Sequence, residues 1–164
     1  KIVKWFIIVL HLSLMKILMV CLGNICRSPL AEGILREKLK DTDAEVDSAG
    51  TSSYHVDEAP DPRAIKIGRK YGVNISDLRG RQFTVSDFDR FDRIYVMDES
   101  NYANVVELAR NEADKNKVDF LLNELEPSSN REVPDPYFGG DEGFEETMDL
   151  VIDCSKGLLN YLRV

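Results

Sequence analysis

The residues with the clearest potential for chemistry lie in one short segment, Cys21 to Pro29, whose sequence is CLGNICRSP. Cys21 is a candidate nucleophile, and Arg27, six residues later, offers a planar guanidinium that can hold two oxygens of a phosphate. Gly23 and Asn24 both tolerate the left-handed backbone that a loop of converging N–H groups requires. Such an anion cradle is expected to favour the thiolate form of Cys21. The combination indicates transfer of a phosphoryl group to cysteine.

The six-residue spacing of Cys21 and Arg27 is weak evidence by itself, because cysteine and arginine recur at that spacing by chance. The sequence on either side of the segment strengthens the interpretation. Residues 16–20, KILMV, form the short apolar run typical of a strand buried on both faces. Ser28-Pro29 is typical of a helix start, with Ser28 as the N-cap. Ligands of α/β sheets bind outside the carboxyl ends of strands, and helix N-termini attract anions. The structural alternative is that Cys21 simply ends a core strand and Arg27 lies on a solvated helix end.

The elements that must position this segment alternate along the chain. Further strands are predicted over 44–48, 92–97 and 118–122, and loops over 49–60 and 126–140. Helices are predicted over 28–40, 61–71, 99–111 and 141–162, the last with an apolar stripe of period 3.6. This alternation predicts an α/β fold, a three-layer sandwich with a four-stranded, mostly parallel central sheet and helices on both faces.

Composition excludes several classes of protein. The 164 residues fit one domain. A formal net charge of −8, from 21 basic and 29 acidic residues, argues against nucleic-acid binding. Only two histidines, His11 and His55, are present, so a zinc site is not expected, nor is any other metal or cofactor. Three cysteines, an odd number, indicate reduced thiols and a cytoplasmic protein.

Two motifs together resemble those of the low-molecular-weight protein tyrosine phosphatases. The first is residues 21–29 followed by Ala31-Glu32, and the second is residues 135–140, DPYFGG, which resembles the general-acid loop of that family. Residues 47–51, 60–63 and 81–83 also fit, so that the resemblance covers about residues 16–162. It implies a protein-tyrosine-phosphatase that hydrolyses phosphotyrosine in proteins through a phosphocysteine intermediate. Inorganic phosphate or a similar oxyanion should occupy the same site.

The resemblance also implies a role for each site residue. Cys21 attacks phosphorus, Arg27 holds the phosphate oxygens, and Asp135 protonates the leaving phenolate and then activates water. Without the resemblance, Asp135 before Pro136 would be interpreted as part of a plain turn. Supporting roles fall to Ser28, which assists departure of the sulfur, and to Asn24 and Ser48, which hold the loop in shape. The phosphate-binding loop consists of Leu22, Gly23, Asn24, Ile25, Cys26 and Arg27, and the walls of the substrate cleft of Tyr54, His55 and Tyr137.

One position departs from the family pattern. Some relatives carry a histidine shortly before the Arg81-Gln82 pair, where it joins the asparagine–serine network. Leu78 or Arg79 occupies that region here, and no histidine is near. A smaller network around Asn24 and Ser28 is therefore expected.

Three other functions remain to be weighed. Arsenate reductases of the same fold need further cysteines, but Cys154, the next one after Cys26, is predicted to be a buried structural thiol. Protein-arginine phosphatases carry a threonine at the position resembling Ile25, which is bulkier and favours an aromatic ester. A phosphotyrosine-binding module without turnover would need neither Cys21 nor Asp135.

Cys26 is a candidate redox partner of Cys21. The two cysteines lie five residues apart in a loop that curls around one anion, which can bring them within disulfide reach. The alternative is that Cys26 is a small apolar filler beneath the loop.

The first fourteen residues have a different character from the rest. Their sequence, KIVKWFIIVLHLSL, resembles the start of a secretory signal, but no A-x-A cleavage site follows, and Lys16 interrupts a longer apolar stretch. We therefore expect Met15 to be the natural start, residues 1–14 to be an extension, and residues 15–164 to form a single phosphatase domain. Membrane association is not expected, and a membrane anchor is the alternative.

Overall fold

A four-stranded parallel sheet between two layers of helices forms the body of the protein. The computed structural model describes residues 15–163; the predicted extension 1–14 lies outside them. The strands are β1 (Lys16–Cys21), β2 (Glu45–Gly50), β3 (Arg93–Val96) and β4 (Val118–Phe120), in the spatial order β2-β1-β3-β4. The helices are α1 (Arg27–Lys38), α2 (Pro62–Lys70), α3 (Asp87–Arg90), α4 (Glu99–Glu107), α5 (Glu112–Lys115) and α6 (Asp141–Arg163), with a 3₁₀ turn at Leu121–Glu124. The predicted α/β sandwich is confirmed, and every strand pair is parallel.

The central strand β1 is apolar from Ile17 to Cys21 because both of its faces are covered there. Ile17, Met19 and Cys21 join the core under α1, α2 and α6, whereas Leu18 and Val20 join the core on the opposite face with α4. All five side chains are at most 3% exposed. This double burial explains why residues 16–20 show no polar alternation.

Local signals at helix ends explain where α2 begins and ends. The Asp61 side chain accepts a hydrogen bond from the backbone N–H of Arg63, and Pro62 occupies the first helical position. Just beyond the C-terminus, Gly72 has a φ of 84°, a left-handed conformation that glycine adopts without strain. α2 therefore starts at a fixed point directly after the loop that follows β2.

Several predicted boundaries were wrong. The helix predicted over 99–111 ends at Glu107, because Asn111 caps a separate helix, α5, through the N–H of Asp114. The strand predicted over 118–122 ends at Phe120, and the rest of that apolar run forms the 3₁₀ turn. The strand predicted over 44–48 extends instead to Gly50, since it pairs with β1 as far as Cys21. No helix within residues 15–163 combines the length and the apolar character that a bilayer crossing requires.

Candidate active site

The phosphate-binding loop connects the end of β1 to the start of α1 at the carboxyl edge of the sheet. Asn24 has a φ of 55°, the left-handed conformation, whereas Gly23 does not adopt it. β2 supports the loop from the side: a Cβ on Gly50 would lie 2.8 Å from the carbonyl oxygen of Leu22. Because Gly50 has no side chain, the end of β2 can pack closely against the backbone of this loop. The loop lies directly before the N-terminus of α1, where free backbone N–H groups favour an anion.

Ser28 contacts the sulfur of Cys21 and is not the helix N-cap that its position beside Pro29 predicted. The helix begins at Arg27, its N-cap is Cys26, and no side chain caps it. The Ser28 hydroxyl lies 3.1 Å from Cys21 Sγ and accepts a hydrogen bond from Asn24 Nδ2 at 2.9 Å. Because the Ser28 oxygen accepts from Asn24, its own hydrogen is available to the sulfur at 3.1 Å, with the Ala49 carbonyl oxygen at 3.5 Å as a more distant acceptor. This hydroxyl can therefore stabilise negative charge on Cys21 Sγ.

A buried polar network fixes Asn24 and extends to Glu32 of α1. Asn24 Nδ2 also donates to Ser48 Oγ at 2.8 Å, and its Oδ1 accepts from the backbone N–H of Arg81 at 3.0 Å. Ser48 in turn donates to Glu32 Oε2 at 2.5 Å. Glu32 of α1 therefore completes the network on the far side of Ser48.

Glu32 is a buried carboxyl group that sequence reasoning did not single out. Its side chain is 2% exposed and lies 2.7 Å from Arg36 of the same helix. Burial raises the pKa of Glu32 above its ordinary value, against the opposing effects of the Ser48 hydrogen bond and the Arg36 charge. The four-residue step from Ser28 to Glu32 was a usable signal, since residues four apart share a helix face.

Arg27 connects the phosphate-binding loop to two distant carboxylates. Its guanidinium is 2% exposed; Nη1 donates to Asp98 Oδ2 at 2.7 Å and to the Val133 carbonyl at 3.0 Å, and Nη2 donates to Asp135 Oδ2 at 3.1 Å. Burial alone would lower the pKa of Arg27, but the negative charges of Cys21, Asp98 and Asp135 outweigh it and raise that pKa. The arginine is therefore held as a cation with its fork fixed.

Asp98 is the second site residue that sequence reasoning missed. It follows β3 at the same edge of the sheet as Cys21, and its other oxygen accepts from the N–H of Asn101 to cap α4. A carboxylate after the predicted third strand was a usable signal, because the carboxyl ends of parallel strands share one edge. One side chain thus holds both a helix start and the buried Arg27.

A cleft of about 250 Å³ opens above Cys21 and Arg27. The structure brings the predicted wall residues Tyr54, His55 and Tyr137 to it, with Asp135 at its edge, and it adds Ser52 and Phe138, which were not predicted. Tyr54 is 79% exposed and Phe138 is 93% exposed. The exposed rings of Tyr54 and Phe138 thus give the cleft an aromatic, solvent-facing wall.

The other cysteines are buried thiols. Cys26 lines the cleft together with Cys21 and is 4% exposed. Burial raises its pKa strongly, and the nearby negative charges of Asp61 and Cys21 add to the effect. Cys154 is fully buried in α6, and burial raises its pKa to about 12. Near neutral pH both groups are therefore mainly protonated thiols.

Comparison with known proteins identifies the family. A family model described as low molecular weight phosphotyrosine protein phosphatase matches residues 16–164. A protein of that name from Dictyostelium discoideum is 39% identical over 167 residues, covering 90% of this chain and 92% of that protein. A crystal structure of a protein tyrosine phosphatase from Entamoeba histolytica, with Hepes in the active site, is similar with a TM-score of 0.84 at 37% identity, covering 91% of this chain and 97% of that one. A Drosophila arginine phosphatase is similar with a TM-score of 0.84 at 30% identity, covering 92% and 99% of the two chains. The chain belongs to the low molecular weight phosphotyrosine protein phosphatase family.

Proposed function

We propose that the protein is a protein-tyrosine-phosphatase that hydrolyses aryl phosphate monoesters through a phosphocysteine on Cys21. The observation that carries this proposal is the convergence of Cys21, Arg27 and Asp135 on one cleft, with Arg27 Nη2 3.1 Å from Asp135. A buried sulfur, a fixed guanidinium and a partly exposed carboxyl are the three groups that phosphoryl transfer to cysteine needs.

The first half of the reaction forms the phosphoenzyme. Cys21 Sγ attacks phosphorus, the bond between phosphorus and the tyrosine oxygen breaks, and the proton of Asp135 passes to that oxygen. Arg27 and the loop N–H groups stabilise the charge on the non-bridging oxygens.

The second half returns the enzyme to its starting state. Asp135 takes a proton from water as the water oxygen attacks phosphorus, and the S–P bond breaks. The Ser28 hydroxyl, 3.1 Å from the sulfur, stabilises the departing thiolate. Inorganic phosphate is released and Asp135 is protonated again.

The cleft supports an aromatic substrate over the alternatives of the same fold. Ile25 lines the cleft and is 8% exposed, so it presents alkyl surface where a guanidinium would need hydrogen-bond partners. This favours phosphotyrosine over phosphoarginine. Arsenate reduction is disfavoured because Cys154 is fully buried and cannot pass a disulfide outward. A non-catalytic binding module would have no use for a carboxyl at the leaving-group side of the cleft.

The cellular setting that we infer is the cytoplasm. Cys21, Cys26 and Cys154 are all free thiols, as is usual in a reducing compartment. The partner is a protein that carries phosphotyrosine.

Steady-state kinetics on matched peptides test this proposal. We expect a phosphotyrosine peptide and para-nitrophenyl phosphate to be hydrolysed, and a phosphoarginine peptide of the same sequence to be a poor substrate. Cys21→Ser should be inactive, and Arg27→Lys nearly so, because a point charge cannot replace the planar fork. Turnover by Cys21→Ser would contradict the proposed nucleophile, and preference for the phosphoarginine peptide would contradict the substrate class. In the Ile25→Thr variant, we expect the ratio of kcat/KM for the phosphotyrosine peptide to kcat/KM for the phosphoarginine peptide to be smaller than in the parent.

A further inference from the structure

Arg63 links the phosphate-binding loop to the segment 135–140, which we call the Asp135 loop, through contacts that take no part in the proposed reaction. Its Nη2 donates to the carbonyl oxygen of Tyr137 at 3.1 Å, and its Nη1 donates to the carbonyl oxygen of Gly139 at 3.3 Å. Both carbonyls belong to the segment 135–140 that carries Asp135. The guanidinium also lies 4.7 Å from the ring centre of Phe144, at the start of α6.

Arg63 is itself held in one orientation by Asp61. Arg63 Nε lies 3.0 Å from Asp61 Oδ1 and Nη2 lies 2.8 Å from Asp61 Oδ2, a two-point pairing of fork and carboxylate. The side chain of Asp61 is 9% exposed and that of Arg63 is 35% exposed, so the carboxylate is largely buried and the guanidinium is partly open to solvent. The orientation of the guanidinium is therefore set before it reaches Tyr137 and Gly139.

The same Asp61 is fastened to the phosphate-binding loop. Its backbone N–H donates to the carbonyl oxygen of Ile25 at 2.8 Å. A continuous path therefore runs from Ile25 through Asp61 and Arg63 to the backbone that follows Asp135. The start of α2 fixes the distance between the loop that holds phosphate and the loop that supplies the acid.

We propose that Arg63 is a positioning residue that holds the Asp135 loop at the leaving-group side of the phosphate site. The inference rests on the proposed role of Asp135 as general acid. Asp135 and residues 137–140 are exposed, and the carboxyl must lie within hydrogen-bond reach of the leaving oxygen as the P–O bond breaks. Misplacement by about 1 Å can cost as much as 10²-fold in rate. A lysine at this position could donate to one carbonyl but could not bridge two carbonyls and a carboxylate.

The test compares leaving groups in an Arg63→Met variant. Methionine keeps an apolar stem against Phe144 and removes the donors. We expect kcat/KM for phenyl phosphate, a poor leaving group, to fall about 10- to 100-fold, and that for dinitrophenyl phosphate to fall less than about threefold. Arg63→Lys should lie between the parent and Arg63→Met. Arg69→Ala, an exposed arginine of the same helix, should behave as the parent. Inhibition by inorganic phosphate should be unchanged, because the phosphate-binding loop is intact.

A double-mutant cycle with Asp135→Asn separates this inference from the proposed function. If Arg63 acts through Asp135, Arg63→Met should add nothing to the loss caused by Asp135→Asn. Two results would overturn the positioning role. One is that Arg63→Met slows substrates with good and poor leaving groups equally. The other is that the losses in kcat/KM caused by Arg63→Met and Asp135→Asn multiply in the double variant. An Asp135→Asn variant that shows no dependence on the leaving group would overturn the general-acid assignment instead.

Discussion

Replacing Asp98 with asparagine should separate the two tasks of this side chain. One oxygen of Asp98 caps α4 through the N–H of Asn101 at 2.8 Å, and the other accepts from Arg27 Nη1 at 2.7 Å. Asparagine caps a helix as well as aspartate does, so Asp98→Asn keeps the cap and removes the charge. The variant isolates the ion pair with Arg27.

The size of the effect follows from burial. Arg27 is 2% exposed and Asp98 is 20% exposed, so the pair is largely but not fully shielded. Breaking a fully buried pair costs about 3–5 kcal/mol, and a hydrogen bond to a charged group is worth about 1.5–3 kcal/mol. Since Asp135 and the Val133 carbonyl still contact Arg27, we expect Asp98→Asn to lower the free energy of unfolding by about 2 kcal/mol.

Urea unfolding and kinetics together measure this prediction. Asp98→Ala also removes the cap, so it should be about 1 kcal/mol less stable than Asp98→Asn. In Asp98→Asn, kcat/KM should fall by about tenfold or more, because the Arg27 fork is no longer aimed at the phosphate. An Asp98→Asn variant as stable and as active as the parent would refute the view that this ion pair holds Arg27.

Two further predictions concern buried groups beside the phosphate-binding loop. Because burial raises the pKa of Glu32, the stability that its protonated form contributes is fully present below pH about 4.5 and is lost as pH rises through its folded-state pKa. Thermal unfolding measured at several pH values should show a flatter decline in stability for Glu32→Gln. The control Glu37→Gln, on the exposed face of the helix, should leave the decline unchanged. An unchanged slope in Glu32→Gln would contradict a buried, titrating carboxyl. After peroxide has converted the Cys21 thiolate to a sulfenic acid, the Cys26 sulfur can displace its hydroxyl to give a disulfide and water, and dithiothreitol should then restore activity. Because the pKa of Cys26 is raised, this disulfide should form faster as pH rises. The Cys26→Ser variant should lose most of this recovery of activity, and the control Cys154→Ala should keep it. Full recovery in Cys26→Ser, with no disulfide-linked Cys21–Cys26 peptide in mass spectra, would leave Cys26 with a packing role only.

Local patterns in the sequence were sufficient to predict the elements around the phosphate-binding loop. The apolar run that follows Lys16 predicted a strand covered on both faces, and the structure buries residues 17–20 on both. The same kind of signal failed where competing local bonds decide the outcome. The apolar run 118–122 does not show that its last two residues form a 3₁₀ turn, and the Asn111 cap that starts a new helix is invisible to apolar periodicity.

The long-range partners of Arg27 could not be predicted from spacing. Asp98 and Asp135 lie 71 and 108 residues from Arg27 in the chain and are two of 29 acidic residues. Only the resemblance drew attention to Asp135; Glu32 was noted as part of the first motif without a role, and nothing drew attention to Asp98. Such carboxylates are brought together by the order of strands in the sheet, which the sequence pattern did not specify.

Trapping the covalent intermediate tests the central claim most directly. An Asp135→Asn variant should still be phosphorylated by a substrate with a good leaving group but should hydrolyse the intermediate slowly, because water lacks its general base. Rapid quenching followed by peptide mass spectrometry should then find one phosphoryl group on the peptide that contains Cys21, and none in the matched Cys21→Ser variant. A phosphoryl group on another residue, or turnover without any phosphorylated peptide, would contradict the account.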